Sequence, residues 1–171
     1  MRITAVVGNP KPLSRTLHAA QQVAVALAGK RPDETIDLAD LGSEIHDASS
    51  ARVADAKRHV LQSDLLVVAS PTYKGSYTGL LKVFLDRFGR DELNGITAIP
   101  VMLGASHLHA LAPELLLKPV LVEIGAICPT RALFLIDSKL DDPSELDQWA
   151  GICRRHLATS VGVLDELIRF G

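Results

Sequence analysis

Three short segments hold the residues whose types and spacing could do chemistry, and the clearest is PTYKGSY at 71–77. It directly follows LVVAS at 66–70, an apolar run typical of a buried strand, and an amphipathic helical pattern comes next. Open α/β sheets bind their ligands at the carboxyl ends of parallel strands. Backbone N–H groups, two tyrosine rings and Lys74 would suit a flat, hydrogen-bonding ring such as a flavin. An ordinary strand-to-helix connection is the alternative interpretation of this segment taken alone.

In chain order PTYKGSY is the second of these segments. The first is GNPKPLSRT at 8–16, between a predicted first strand and a predicted first helix. Gly8 permits a tight turn, and Ser14, Arg15 and Thr16 lie where the helix begins. Helix N-termini present unpaired N–H groups and a partial positive charge, which together bind phosphate, and a guanidinium adds charge-assisted donors. The segment matches neither the Walker A nor the GxGxxG pattern. It indicates either a phosphate site or a capped helix with an exposed arginine.

The third segment is LGASHLH at 103–109, after a predicted fourth strand. Gly104, Ala105 and Ser106 are small, so the backbone could approach the edge of a planar ligand closely. The HxH pair that follows could suggest a metal. No carboxylate or cysteine pattern completes such a site, so no metal is predicted.

Elements that alternate between strand-like and helix-like patterns must position these segments. The predicted strands are 2–7, 35–38, 65–69, 96–103 and one within 126–136, and the predicted helices are 14–28, 49–62, 78–88, 114–123 and 144–169. Five strands alternating with helices predict a parallel sheet with both faces covered. Because the first, third and fourth strands are nearly continuous apolar runs, they should be buried on both sides.

The predicted fold is therefore an α/β, flavodoxin-like three-layer sandwich with strand order 2-1-3-4-5, and 1–171 is expected to be one domain. In this order the three segments emerge on one rim of the sheet. Pro119 interrupts the fourth helical pattern and is expected to kink that helix.

The composition of the chain excludes several classes of function. Apolar residues make up 47% of the chain and the formal net charge is −2, with no block of like charges, which disfavours nucleic-acid binding. Cys128 and Cys153 lie in apolar surroundings and are expected to be inert buried thiols. Neither a signal-peptide pattern nor a membrane-spanning run is present in the sequence, so a cytoplasmic location without membrane contact is expected.

The run SPTYKGSYTGLLKVFLDRFG resembles the NAD(P)H-dependent FMN reductases of the flavodoxin-like superfamily, above all those that serve two-component alkanesulfonate monooxygenases. GAS followed by HxH, then LLLKPVLVEIGA and FLIDSK, matches the same group in order, and GNPKPLSRT is similar to its phosphate loop. The resemblance covers 2–139. It implies hydride transfer from NADPH or NADH to FMN, a homodimer or homotetramer, and delivery of reduced flavin to a flavin-dependent monooxygenase.

The resemblance also implies which residues bind FMN and that no side chain is itself catalytic. The phosphate would be held by Asn9, Ser14, Arg15 and Thr16. The isoalloxazine would contact Pro71, Thr72, Tyr73, Lys74, Gly75 and Ser76, and its pyrimidine edge would lie against Gly104, Ala105 and Ser106.

Three positions depart from the family pattern. Asn9 replaces a commoner serine, Ala105 a commoner glycine, and Leu115 an aromatic residue or histidine near the subunit contact. Two alternatives stay open: a reductase of quinones, azo dyes or chromate that keeps FMN bound, and a flavodoxin-type electron carrier. The carrier is disfavoured because such proteins tend to be strongly acidic. The sequence leaves the choice between NADH and NADPH open.

Overall fold

The computed structural model describes the backbone of residues 1–160 and the side chains of residues 1–157. Its strands are β1 (Ile3–Val7), β2 (Glu34–Asp37), β3 (Leu65–Pro71), β4 (Thr97–Gly104) and β5 (Leu133–Ile136). Its α-helices are α1 (Arg15–Ala28), α2 (Ala51–Leu61), α3 (Gly79–Leu85), α4 (Lys118–Glu123) and α5 (Ser144–Ser160). All strand pairs are parallel, in the order β2-β1-β3-β4-β5. The predicted flavodoxin-like order is confirmed.

Side chains of alternate residues along the strands pack into two separate cores, one on each face of the sheet, which makes the fold a three-layer sandwich. On β1, Ile3, Ala5 and Val7 pack with apolar residues of α1 and α5. Val6 faces the other side, where α2, α3 and α4 contribute the partners. The strands are therefore buried on both faces, as their continuous apolar runs predict.

The fifth strand is shorter than the predicted 126–136 interval. Ile127 makes one parallel bridge to Thr97, and regular pairing with β4 begins only at Leu133. Between these two points, side chains form hydrogen bonds with backbone groups that a strand ladder would otherwise use. For example, the indole of Trp149 donates to the Arg131 carbonyl at 3.0 Å. These contacts, together with a proline at 129 that cannot donate to a ladder, explain why pairing is interrupted.

The predicted fourth helix is interrupted one turn earlier than expected. A π-helix spans Pro113–Leu117, and the N–H of Lys118 donates to the carbonyl of Pro113 before α4 begins. Pro119 then lies in the first turn of α4, where its missing N–H breaks no intrahelical bond. The interruption is a π turn rather than a kink at the proline.

One further element was not predicted, and the last helix agrees with its prediction as far as the described residues extend. A 3₁₀ segment at Leu38–His46, which the sequence patterns did not predict, connects β2 to the start of α2. The last helix begins at Ser144 as predicted, and the predicted stretch from 161 to 169 lies outside the described residues. Within residues 1–160, no helix has the length and apolarity needed to cross a bilayer.

Candidate functional site

An open cleft of about 380 Å³ lies at the carboxyl ends of β1, β3 and β4. All three predicted segments reach it. Nine of the residues predicted to bind FMN line this cleft: Asn9, Ser14, Arg15, Thr16, Pro71, Thr72, Tyr73, Gly104 and Ala105. The topology therefore brings residues nearly 100 positions apart in sequence to one place.

Three of the residues predicted to bind FMN in the PTYKGSY segment do not line the cleft, because the chain turns sharply away after Tyr73. The N–H of Tyr73 donates to the carbonyl of Ser76 at 2.8 Å, and the N–H of Ser76 donates back at 3.1 Å. Lys74 and Gly75 both have positive φ, of 52° and 82°. Two such residues inside a pair of hydrogen bonds form a type I′ hairpin turn. Lys74, Gly75 and Ser76 thus stand beyond the edge of the cleft.

Ser106 is the fourth predicted residue outside the cleft lining. It begins the short 3₁₀ turn His107–His109, and its hydroxyl accepts from the N–H of Leu108 at 3.5 Å. The HxH histidines lie on this turn, and a Cβ built on Gly75 would lie 3.6 Å from Cε1 of His109. The third segment therefore lies beside the hairpin turn of the second.

The end of the cleft that is predicted to bind phosphate is built from the first turn of α1. The Ser14 hydroxyl caps the helix by accepting from the N–H of Leu17 at 3.3 Å. The N–H groups of Arg15 and Thr16 precede the point where intrahelical acceptors become available. The Asn9 side chain donates to the Thr16 hydroxyl at 3.0 Å and accepts from the N–H of Lys11 at 3.0 Å. The loop is thus held in place by its own side chains.

Arg15 has a partner across the cleft. Its Nε lies 2.9 Å from Oδ1 of Asp137, and a terminal nitrogen donates to the Asp137 main-chain carbonyl. Both side chains are half exposed. Asp137 directly follows β5, so it lies on the same rim as the other segments.

Asp137 and Lys11 line the cleft but were not predicted to do so. The signals were available, namely a cation inside GNPKP and an acidic residue at the end of FLID. The predicted interval of the fifth strand ends at Ile136, as β5 does, but only the segments that follow the first, third and fourth strands were assigned to the rim.

Asp37, at the end of β2, holds the backbone of the loop after β1 in place through a hydrogen bond. Its carboxylate accepts from the N–H of Leu13 at 3.1 Å and from that of Ala39 at 3.3 Å. Leu13 is held at a φ of 52°. Burial raises the pKa of Asp37 above its ordinary value, against the lowering effect of these two N–H groups.

The end of the cleft that is predicted to bind the ring contains a buried polar atom without a partner among the described residues. The hydroxyl oxygen of Thr72 is buried and has no hydrogen-bond partner among the described residues, while its N–H donates to the Leu103 carbonyl at 2.7 Å. Buried hydroxyls are normally paired, and an unpaired one costs about 1–3 kcal/mol. This donor and acceptor fits the polar edge of a flavin ring.

Two glycines are explained by packing. A Cβ on Gly8 would lie 2.5 Å from Cβ of Leu81, and one on Gly104 would lie 2.5 Å from Cζ of Phe134. The small residue at 104 was predicted to allow a ligand to approach closely, which stays a prediction. The ring of Phe134 gives a second physical reason for a glycine there.

Thr78 joins the first and second segments. Its hydroxyl donates to the Gly8 carbonyl at 2.5 Å and accepts from the N–H of Leu81 at 3.1 Å, capping α3. Its own N–H donates to the Ser70 hydroxyl at 3.0 Å. One buried side chain therefore sets the relative position of two walls of the cleft.

The thiols are poor candidates for chemistry at neutral pH. Burial raises the pKa of Cys128 to about 11 and also raises that of Cys153. Both cysteines are free. Over the part of the chain described here, no three His, Cys, Asp or Glu side chains are grouped so as to hold a metal ion.

Comparisons with known proteins show the family of this chain. A family model described as NADPH-dependent FMN reductase matches residues 1–141. The NADH-dependent FMN reductase SfnF of Pseudomonas fluorescens (strain Pf0-1) is 35% identical over 152 residues, covering 83% of this chain and 80% of the relative.

Solved structures give the same result. The apo form of an NADH:FMN oxidoreductase (EMOB) superposes with a TM-score of 0.76 at 30% identity, covering 94% of this chain and 88% of that chain. A flavodoxin from the domain Archaea superposes with a TM-score of 0.60 at 12% identity, covering 92% and 99% of the two chains, and shows the fold alone.

Proposed function

The chain belongs to the family of NADPH-dependent FMN reductases, and from this premise we propose that it reduces FMN as an exchangeable substrate and supplies the reduced flavin to a partner monooxygenase. The enzyme is an oxidoreductase that uses FMN and NAD(P)H. The observation that carries the proposal is the meeting of three separate segments in one open cleft at the carboxyl ends of β1, β3 and β4. This is the place where open α/β sheets bind ligands.

We assign the phosphate of FMN to the first turn of α1. The N–H groups of Arg15 and Thr16, the Arg15 guanidinium and the ordered side chains of Asn9 and Ser14 support this assignment. Helix N-termini favour anions through free N–H groups and the helix dipole. Lys11 adds a second positive charge to the cleft.

We assign the isoalloxazine ring to the second and third segments. Pro71, Thr72 and Tyr73, at the end of β3, and Gly104 and Ala105, at the end of β4, line this part of the cleft. The buried, unpartnered hydroxyl of Thr72 supports a polar ring edge at this position. Residues 74–76 and Ser106, which stand at the outer edge, are proposed to contact the ring where it meets solvent.

When bound, FMN supplies the hydride-accepting ring, so the protein needs no nucleophile of its own. Its contribution is to hold the two substrates in reactive geometry and to stabilise negative charge that develops on the flavin. The backbone N–H groups of residues 104–106 are the proposed donors for that charge. Tyr73 is half exposed at the edge of the cleft, a position from which its ring can shield one face of the reaction from water.

The open, solvent-facing cleft supports exchange of FMN rather than permanent retention. Arg15 and Tyr73 are both half exposed, so a bound flavin would keep contact with solvent. The PTYKGSYTGLLKVFLDR run, which resembles reductases of two-component systems, supports delivery to a monooxygenase. The two free cysteines accord with a reducing, cytoplasmic compartment.

Steady-state oxidation of NADPH and of NADH, each with added FMN or with a quinone, tests the proposal. We expect saturation at micromolar FMN and little quinone turnover when FMN is left out. Quinone turnover by the purified protein without added flavin would instead identify a reductase that keeps FMN bound. Copurifying flavin without NAD(P)H oxidation would identify an electron carrier.

A further inference from the structure

We propose that Asp137 lowers the affinity of the cleft for the phosphate of FMN by competing for Arg15. This inference rests on the proposed function, because it requires that the phosphate of FMN approach the first turn of α1. It adds a residue that tunes exchange of the flavin by weakening the binding of flavins that carry a phosphate and leaving the binding of riboflavin unchanged.

The geometry shows that the guanidinium is already engaged. Nε of Arg15 lies 2.9 Å from Oδ1 of Asp137, and a terminal nitrogen donates to the main-chain carbonyl of the same residue. Both residues line the cleft. An anion that binds Arg15 must therefore share the guanidinium with a carboxylate or take its place.

The solvent exposure of the Arg15 and Asp137 side chains sets the strength of this competition. Both side chains are half exposed, and ion pairs between exposed residues are weak because water screens them. A carboxylate held this loosely cannot block a phosphate, which carries up to two negative charges. It can shift the dissociation constant by roughly two- to fivefold. For an enzyme that must release its product flavin, such a shift speeds dissociation.

The opposite role would be for Asp137 to orient Arg15 toward the phosphate. The main-chain carbonyl of Asp137 already anchors the guanidinium, so the carboxylate is not required for that purpose. The Asp137→Asn substitution separates the two roles. It removes the charge and leaves both an acceptor oxygen beside Nε and the main-chain contact.

The test is a fluorescence titration of the apoprotein with FMN and with riboflavin, which lacks the phosphate. Asp137→Asn should lower the dissociation constant of FMN by roughly two- to fivefold and leave that of riboflavin unchanged. Asp55→Asn is the matched control. Asp55 is half exposed and paired with Arg58 but does not line this cleft, so its substitution should change neither value.

The same substitution in an Arg15→Ala background shows whether Asp137 acts through Arg15. We expect the effect on FMN to disappear there. Equal tightening in both backgrounds would mean direct repulsion between the carboxylate and the phosphate and would overturn the inference. Weaker FMN binding by Asp137→Asn would overturn it as well, because the carboxylate would then be orienting Arg15.

The phosphate assignment and the role of Asp137 can be disproved independently of each other. If Arg15→Ala weakens FMN and riboflavin equally, the phosphate assignment in the proposed function is wrong. If Arg15→Ala weakens FMN alone and Asp137→Asn has no effect on FMN, only the role of Asp137 is wrong.

Discussion

At the scale of single residues, Arg15 carries the phosphate assignment. Arg15→Ala removes a charge-assisted contact, which is worth roughly 1.5–3 kcal/mol or about ten- to 150-fold in affinity. Because Arg15 is half exposed and paired with Asp137, we expect roughly tenfold weaker FMN binding, at the low end of this range. Equilibrium titration by flavin fluorescence measures it, and riboflavin binding should stay unchanged.

Cys128 provides a residue-scale prediction about pH. Burial raises its pKa to about 11, and only the thiolate reacts with alkylating agents. In a Cys153→Ala variant, the rate of alkylation by iodoacetamide should therefore rise about tenfold per pH unit between pH 7 and 10. A plateau near pH 9 would show that the thiol has an ordinary pKa and is not held in an apolar environment.

At the scale of elements, Thr78 connects Gly8, at the start of the loop after β1, to the first turn of α3. Thr78→Val keeps the shape but removes the cap of α3 and leaves the buried Gly8 carbonyl without its partner. Loss of a cap costs about 1 kcal/mol and an unpaired buried group about as much again, so we expect a loss of about 2 kcal/mol in unfolding free energy.

Urea unfolding of Thr78→Val measures this loss, with Thr78→Ser as the control that keeps the hydroxyl. Thr78→Ser should retain most of the stability. If the two variants were equally stable, the hydroxyl would not be the link between the two walls of the cleft.

The helices, strands and turns also show which parts of the structure could be predicted from the sequence. The sheet order and the meeting of the three segments were predictable, because strand period, apolar runs and parallel connections leave few topologies. The turn at Lys74 and Gly75 was not, since a lysine with positive φ follows from the hydrogen bonds of Tyr73 and Ser76. The role of Asp137 was not predicted, because its contact with Arg15 joins residues 122 positions apart and exists only in the folded chain.

At the scale of the whole molecule, the exposed apolar side chains near the cleft lead us to expect self-association. Leu108, Leu111 and Leu115 are 82%, 62% and 63% exposed, and they lie on the short turns between β4 and α4. Leu115 stands where the resemblance places the subunit contact. Clustered exposed apolar residues mark interfaces more often than isolated ones.

Sedimentation velocity of the wild type and of Leu115→Lys tests this expectation. The wild type should sediment as a dimer or tetramer at micromolar concentration, and Leu115→Lys should shift it toward the monomer. Val25→Lys, an exposed apolar position on α1, is the control and should change nothing. A wild type that stays monomeric across the micromolar range would contradict the expectation.

The central claim is that three segments from different parts of the chain form one flavin site. A crystal structure of the FMN complex tests it most directly. The account predicts the phosphate at the N–H groups of Arg15 and Thr16, with the ring between residues 71–73 and residues 104–105. Density for the flavin elsewhere, with this cleft empty, would contradict it.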